Sequence, residues 1–228
     1  MIDTAEMYAG GHSEELVAKA VGSEREKVFI ASKVSPEHLR RDDVIRSCES
    51  SLKRLKTTYL DLYQVHWPNP RIPIAETMKA MEFLAAEAKI HHIGVSNFSL
   101  EQTKEAQQAL SKFRLVSNQV EYSLLERSVE KELLPYAEEQ RLTIIAYTPI
   151  AKGRIARGGS GERWTVLDQL ASRYAKTRIQ IALNWLIAKK PVVAIPKAAS
   201  LNHVRENSGS VGWQMTEADH KLLDEAFR

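Results

Sequence analysis

Six apolar runs in this 228-residue chain each end on a polar side chain able to do chemistry. The run 28–32 leads to Lys33, 59–65 to His66, and 93–95 to Ser96 and Asn97. The run 116–118 leads to Gln119, 142–146 to Tyr147, and 192–196 to Lys197. Two more reactive groups, Asp3 and Tyr8, stand almost at the N-terminus. A tyrosine hydroxyl can donate a proton to a carbonyl oxygen as negative charge develops there. A phenol titrates at about 10 and is a reluctant acid at neutral pH, but a neighbouring ammonium favours the phenolate. Lys33 is the candidate ammonium, Asp3 the carboxylate that orients it, and His66 a second donor to the same oxygen. Four such groups at one mouth suit carbonyl reduction or alcohol oxidation. That chemistry needs a hydride carrier, because no side chain transfers hydride.

The elements that must position these groups alternate along the chain. Strands are expected at 28–32, 59–66, 93–96, 116–121, 142–147 and 192–196. Apolar residues at helical spacing predict a helix over 14–21 with Leu16, Val17 and Ala20 on one face. A second, over 42–55, is marked by Val44, Ile45, Cys48, Leu52 and Leu55, and a third, over 73–88, by Ile74, Met78, Met81, Ala85 and Ala88. Ser99 with Gln102, and Thr177 with Gln180, form capping-box patterns. Thr165, Ser200 and Thr216 are further cap candidates. Pro135 is tolerated only in a first helical turn, which starts that helix at about residue 132. The Gly- and Arg-rich stretch 152–163 reads as a loop.

Alternating strands and helices favour a parallel sheet with crossovers, an α/β fold. A polar residue at the C-terminal end of each strand favours a (β/α)8 TIM barrel, where those ends carry the active site. No Gly-x-Gly-x-x-Gly follows any strand, which argues against a Rossmann fold. No linker divides the chain, so residues 1–228 read as a single barrel domain.

Composition narrows the function. There are 32 basic and 29 acidic residues, giving a net charge of +3, and they are interspersed. Nucleic-acid binders show clustered basic residues with stacking aromatics, so no nucleic-acid partner is expected. No apolar stretch approaches a membrane span, and no secretory leader pattern opens the sequence, so neither a membrane partner nor export is expected. One cysteine, Cys48, allows no internal disulfide and suits a reducing, cytoplasmic setting. It falls on an apolar helix face and reads as packing.

Taken in order, these segments make the chain similar to members of the aldo-keto reductase family. Asp3-Thr4-Ala5-Glu6-Met7-Tyr8 resembles the family's Asp-and-Tyr motif, Ala31-Ser32-Lys33 its lysine strand end, and Gln64-Val65-His66-Trp67-Pro68 its histidine motif. Gly94-Val95-Ser96-Asn97-Phe98 and Ser117-Asn118-Gln119-Val120-Glu121-Tyr122 resemble the segments that hold the nicotinamide carboxamide. Ala146-Tyr147-Thr148-Pro149 resembles the segment whose tyrosine stacks on the nicotinamide. Ile195-Pro196-Lys197, with Glu206 and Asn207, resembles the adenosine and 2′-phosphate segment. The resemblance implies a small carbonyl substrate, NADPH as hydride carrier with NADH as the alternative, and Asp3, Tyr8, Lys33 and His66 as the catalytic tetrad. Ser96, Asn97 and Gln119 would bind the carboxamide, Tyr147 would stack, and Lys197, His203, Glu206 and Asn207 would meet the adenosine end. Trp67 would line the substrate pocket or pack on the barrel rim. Arg154, Arg157 and Arg163 are either a solvated loop or a clamp over the pyrophosphate.

Two departures stand out. His203 occupies the place of an arginine usual for the 2′-phosphate, and Ala198 that of a hydroxyl; Arg205 is close by in sequence. Family members also carry a hairpin, a first strand, a first helix and most of a second strand before the aspartate. The expectation is therefore a barrel lacking those parts, from a protein about 50 residues longer. Its open edges would invite self-association. An alternative reading is a nucleotide-binding or regulatory relative with little or no turnover.

Overall fold

A computed structural model describes residues 1–228. The chain divides into two compact units, Met1–Gln119 and Val120–Arg228.

The first unit alternates strands with helices. In chain order these are β1 (Ile2–Asp3), α1 (His12–Val21), β2 (Ile30–Val34), α2 (Arg41–Leu55), β3 (Leu60–Val65), α3 (Ile74–Ala86), β4 (Ile90–Ser96), α4 (Leu100–Ala109) and β5 (Leu115–Glu121). The last two residues of β5 belong to the second unit. Neighbouring strands from β1 to β5 are all parallel. All of β2 is buried, and only Asp61 of β3 is partly exposed, as expected of parallel strands covered on both faces. Met78, Met81 and Leu84 of α3 and Val44, Cys48 and Leu55 of α2 supply the apolar cover. Each large aliphatic buried this way contributes about 1.5–3 kcal/mol.

Register is what positions the chemistry. Lys33, Gln64, Gly94 and Ser117 are successive register partners across β2 to β5, and Ser96 pairs with Gln119 two residues further on. Asp3 pairs with Ala31, two residues before Lys33. Side chains two apart on a strand share a face, so Asp3, Lys33, Gln64, His66, Ser96 and Gln119 all present to one side. Gly94 is required within that row. A Cβ there would lie 2.4 Å from Ser117 Oγ and 2.9 Å from Gln64 Cγ.

Some expectations change. Ile2 and Asp3 form a strand, making seven strands in place of six; two residues are too few to carry a periodic signal. The inner face of α1 is not the Leu16–Ala20 stripe. Leu16 is 54 % exposed and Ala20 is exposed, whereas Glu14 and Val21 are buried. The carboxylate can go inside because Ser32 and Arg54 meet it there.

The second unit holds α5 (Leu133–Gln140), β6 (Thr143–Tyr147), α6 (Arg154–Arg157), α7 (Glu162–Tyr174), α8 (Arg178–Ala188), β7 (Val192–Ala194), α9 (Leu201–Ser208) and α10 (Glu217–Ala226). β6 and β7 are parallel, with Ile144 opposite Val192. Pro135 sits in the first turn of α5, where no intrahelical N–H is needed. Asp224 pins α10, accepting from Arg127, Trp185 Nε1 and Lys189.

Capping was partly legible. Ser99 and Thr177 form reciprocal boxes with Gln102 and Gln180, and Ser200 and Thr216 cap α9 and α10. Thr165 does not cap. Helix α7 starts after Gly161, and Thr165 lies inside it. The stretch 152–163 is not all loop, since it contains α6 and the start of α7. β7 ends at Ala194, so Lys197 lies beyond the strand. Ile195 N–H still donates to Ala146 O at 3.1 Å, but Pro196 has no N–H to continue the ladder. No helix is long and apolar enough to cross a membrane.

Candidate active site

Lys33 is the hub of the first unit's polar row. Its side chain is fully buried, and Nζ donates to Asp3 Oδ1 at 2.5 Å, Thr4 O at 2.9 Å and Tyr8 Oη at 3.3 Å. An ammonium has three donors, and each is used. Asp3 is held from its other side as well. Its Oδ2 accepts from Gln119 Nε2 at 2.8 Å and from Gln64 Nε2 at 3.5 Å. A buried ion pair of this kind is costly to break, because the survivor is left as an unpaired charge. Here it fixes the lysine beneath the phenol.

Tyr8 begins a 3₁₀ turn, Tyr8–Gly11, and is 40 % exposed, whereas Lys33 is fully buried. The His66 ring meets the Tyr8 ring edge-on at 5.6 Å between centroids. Burial, and then the Lys33 ammonium, push the His66 imidazole down from 6.5 to about 4. The ring is therefore neutral at pH 7. Its buried Nδ1 has no hydrogen-bond partner within the protein.

Ser96, Asn97 and Gln119 sit beside these four residues. Ser96 Oγ donates to Gln119 O at 2.9 Å, and Asn97 N–H donates to the same oxygen at 2.9 Å. Asn97 Nδ2 donates to His66 O at 2.9 Å and to Ser96 Oγ at 3.1 Å. Asn97 has a positive φ of 62°, a conformation asparagine adopts more readily than most residues. Gln119 thus touches Asp3 while Asn97 touches His66. A carboxamide needs amide-type donors and acceptors beside the reacting group, and Gln119, with Oε1 beyond its contact to Asp3, supplies them. The chemistry of this donor set fits a nicotinamide.

The second unit carries the other predicted residues. Tyr147 ends β6, half-buried. Lys197 is exposed. His203, Glu206 and Asn207 lie three and four residues apart on α9 and so share one of its faces. Trp67 follows β3 and is 46 % exposed, like Met7 and Tyr8 an apolar side chain open to solvent. Cys48 is buried, and burial pushes its thiol up to about 12, so it stays a thiol and packs.

Two residues of this site escaped the sequence reading. Gln64 stands two before His66, so strand alternation already put them on one face. Thr4 contributes a backbone carbonyl, which no side-chain pattern announces.

A model described as the aldo/keto reductase family matches residues 1–228. The methylglyoxal reductase YeaE of Escherichia coli K12 is 39 % identical over 227 residues, covering 100 % of this chain and 79 % of that protein. The crystal structure of a thermostable aldo-keto reductase, Tm1743, with the inhibitor epalrestat superposes with a TM-score of 0.93. It is 44 % identical and covers 99 % of this chain and 81 % of that one. An aldo-keto reductase from Klebsiella pneumoniae in complex with NADPH superposes at 0.90 and is 37 % identical, covering 99 % and 79 %. The chain belongs to the aldo/keto reductase family.

Proposed function

We propose that this chain reduces the carbonyl of a small aldehyde or ketone to an alcohol, with NADPH as hydride donor and Tyr8 as general acid. The carrying observation is the Lys33 ammonium, spread over Asp3, Thr4 O and the Tyr8 hydroxyl at 2.5, 2.9 and 3.3 Å. NADPH, when bound, supplies the hydride taken up by the carbonyl carbon. As the carbonyl oxygen gains negative charge, Tyr8 gives it the hydroxyl proton. The phenolate left behind faces the Lys33 ammonium, which stabilises it. Asp3 keeps that ammonium in place. His66 is neutral, and with Nδ1 unpartnered its single proton is assigned to Nε2, which can donate to the same oxygen. Tyr8 regains its proton from water, to which its exposed ring gives access. A positioned acid of this kind contributes about 10²–10⁴-fold in rate.

Ser96, Asn97 and Gln119 are assigned to the carboxamide. The roles of Tyr147 in stacking, and of Lys197, His203, Glu206 and Asn207 at the adenosine end, rest on family correspondence. Lys197, with Arg205 nearby in sequence, supplies positive charge for a 2′-phosphate. The barrel reading of the fold is supported by parallel βα alternation and by likeness to solved aldo-keto reductases. The relative named methylglyoxal reductase makes small aldehydes, methylglyoxal first, the substrates to try. The buried lone thiol accords with a cytoplasmic location.

The test follows NADPH absorbance with a panel of small aldehydes, for the wild type and Tyr8→Phe. Aldehyde-dependent oxidation that Tyr8→Phe abolishes is expected, with a lower KM for NADPH than for NADH. Cofactor binding without aldehyde-dependent oxidation would instead support a nucleotide-binding or regulatory role.

A further inference from the structure

We infer that Glu14, together with Arg54, positions the Tyr8 hydroxyl over Lys33; the inference rests on the reading of Tyr8 as the acid. Tyr8 leads a turn that is poor in intrinsic stability. Ala9 (φ 50°, ψ 40°), Gly10 (φ 61°) and Gly11 (φ 92°) are all left-handed. An alanine in that region costs of order 1–2 kcal/mol, and such strain persists only where the surroundings over-determine it. Tyr8 itself is 40 % exposed, so its ring is held only in part, by the edge-on His66 ring and by Lys33 Nζ 4.9 Å from its centroid.

The restraint comes from just beyond the turn. Glu14 is the third residue of α1 and is fully buried. Its Oε1 accepts from Ser32 Oγ at 2.6 Å, and its Oε2 from Arg54 Nε at 2.6 Å. Ser32 is the neighbour of Lys33 on β2, so the carboxylate ties the start of α1 to the strand that carries the catalytic ammonium. Arg54, from α2, also donates to Ser51 Oγ at 3.2 Å. Its side chain runs directly against Gly11. A Cβ on Gly11 would lie 2.6 Å from Arg54 Cδ and 2.7 Å from Nε. The turn therefore ends on the guanidinium that Glu14 holds. The other side of the turn is tied to the same place, because Thr4 Oγ1 donates to Ser13 Oγ at 2.9 Å while Thr4 O accepts from Lys33 Nζ.

Glu14 is buried and Arg54 partly so, and an ion pair removed from water in this way is a poor means of gaining stability, since well-packed apolar residues of similar volume usually do as well or better. What this pair supplies is geometry. It connects α1, β2 and α2 at the point where Tyr8 must be kept within reach of Lys33. Glu14 and Arg54 act through Tyr8 and Lys33 and are positioning residues.

Glu14→Gln keeps the shape and an oxygen for Ser32 but removes the charge facing Arg54. Arg54→Lys keeps the charge with a milder change and guards against misfolding of the first variant. Purified full chains are assayed with NADPH and methylglyoxal in H2O and D2O. For Glu14→Gln, kcat is expected to fall about tenfold or more, as small misplacements of a catalytic group do. The NADPH dissociation constant stays within about twofold, and the solvent isotope effect on kcat rises as proton transfer becomes more limiting. Arg54→Lys falls between this variant and the wild type. A merely structural role lowers the active fraction equally in both solvents and leaves the isotope effect unmoved. Folded variants with wild-type kcat, or a lower kcat with an unchanged isotope effect, would overturn the proposal. Tyr8→Phe separates the two levels. If it is inactive while Glu14→Gln is normal, only the positioning role falls. If Tyr8→Phe keeps wild-type kcat, or the wild type oxidises no NADPH with any aldehyde, the acid assignment and this proposal fall together.

Discussion

His66 makes an acid-stability prediction that can be worked through in full. In the folded chain, burial and the Lys33 ammonium lower the imidazole from 6.5 to about 4. In the unfolded chain the ring returns to its ordinary value. Between those values the unfolded state binds a proton that the folded state refuses, so stability falls as pH falls. The stability is fully present above about pH 6.5 and is lost progressively down to about pH 4. The gap, 6.5 minus about 4, is about 2.5 pH units, or roughly 3 kcal/mol when complete. At about pH 4.5 most of it, roughly 2 kcal/mol, is already lost. His66→Asn removes the titrating ring. Urea unfolding followed by tryptophan fluorescence at about pH 7 and about pH 4.5 gives a double difference between the two proteins, in which other titrating groups largely cancel. The wild type should lose roughly 2 kcal/mol more than His66→Asn on acidification. Equal losses in the two proteins would refute both the buried neutral imidazole and its assigned hydrogen-bonding role. The same shift predicts no inflection from His66 in kcat/KM for carbonyl reduction above about pH 5.

Three further substitutions address the site. Lys33→Met leaves Asp3 buried without its cation and should cost about 3–5 kcal/mol in urea unfolding, with reductase activity lost; a variant of wild-type stability would contradict the ion pair's role. Gly94→Ala drives a methyl group into Ser117 Oγ and Gln64, and overpacking of this kind should destabilise by about 1–3 kcal/mol. Because Gln64 also contacts Asp3, kcat should fall with it, and a Gly94→Ala protein as stable and active as wild type would show that the row is looser than described. Trp67→Ala should raise KM for the aldehyde while the NADPH dissociation constant, measured by fluorescence titration, is unchanged; the opposite pattern would move Trp67 from the substrate's side to the cofactor's.

The reactive groups were legible because strands repeat every two residues and end abruptly. Lys33, His66, Ser96 and Gln119 each close a strand-like run, which marks them as strand ends, and the register of the parallel strands then puts them on one face. The capping boxes at Ser99 and Thr177 were legible for a related reason, since a cap is a contact between residues three apart. Where local cues competed, the reading slipped. Gly161 set the start of α7 ahead of Thr165, and Pro196 ended the β7 ladder short of Lys197.

The rest depends on contacts between residues distant in sequence, which no local period encodes. Gln119 donates to Asp3 across 116 positions, and Lys33 draws its three acceptors from residues 3, 4 and 8. Glu14 is the sharpest case. Helical periodicity assigns a glutamate to the surface and the neighbouring leucine to the core, yet Leu16 is exposed and Glu14 is buried. Only the arrival of Ser32 from β2 and Arg54 from α2 makes that burial tolerable, because a carboxylate enters the interior only when its charge and its hydrogen bonds are met there. The residue types and their order thus establish which chemistry is available, and the packing of strands against helices sets the distances at which it can run.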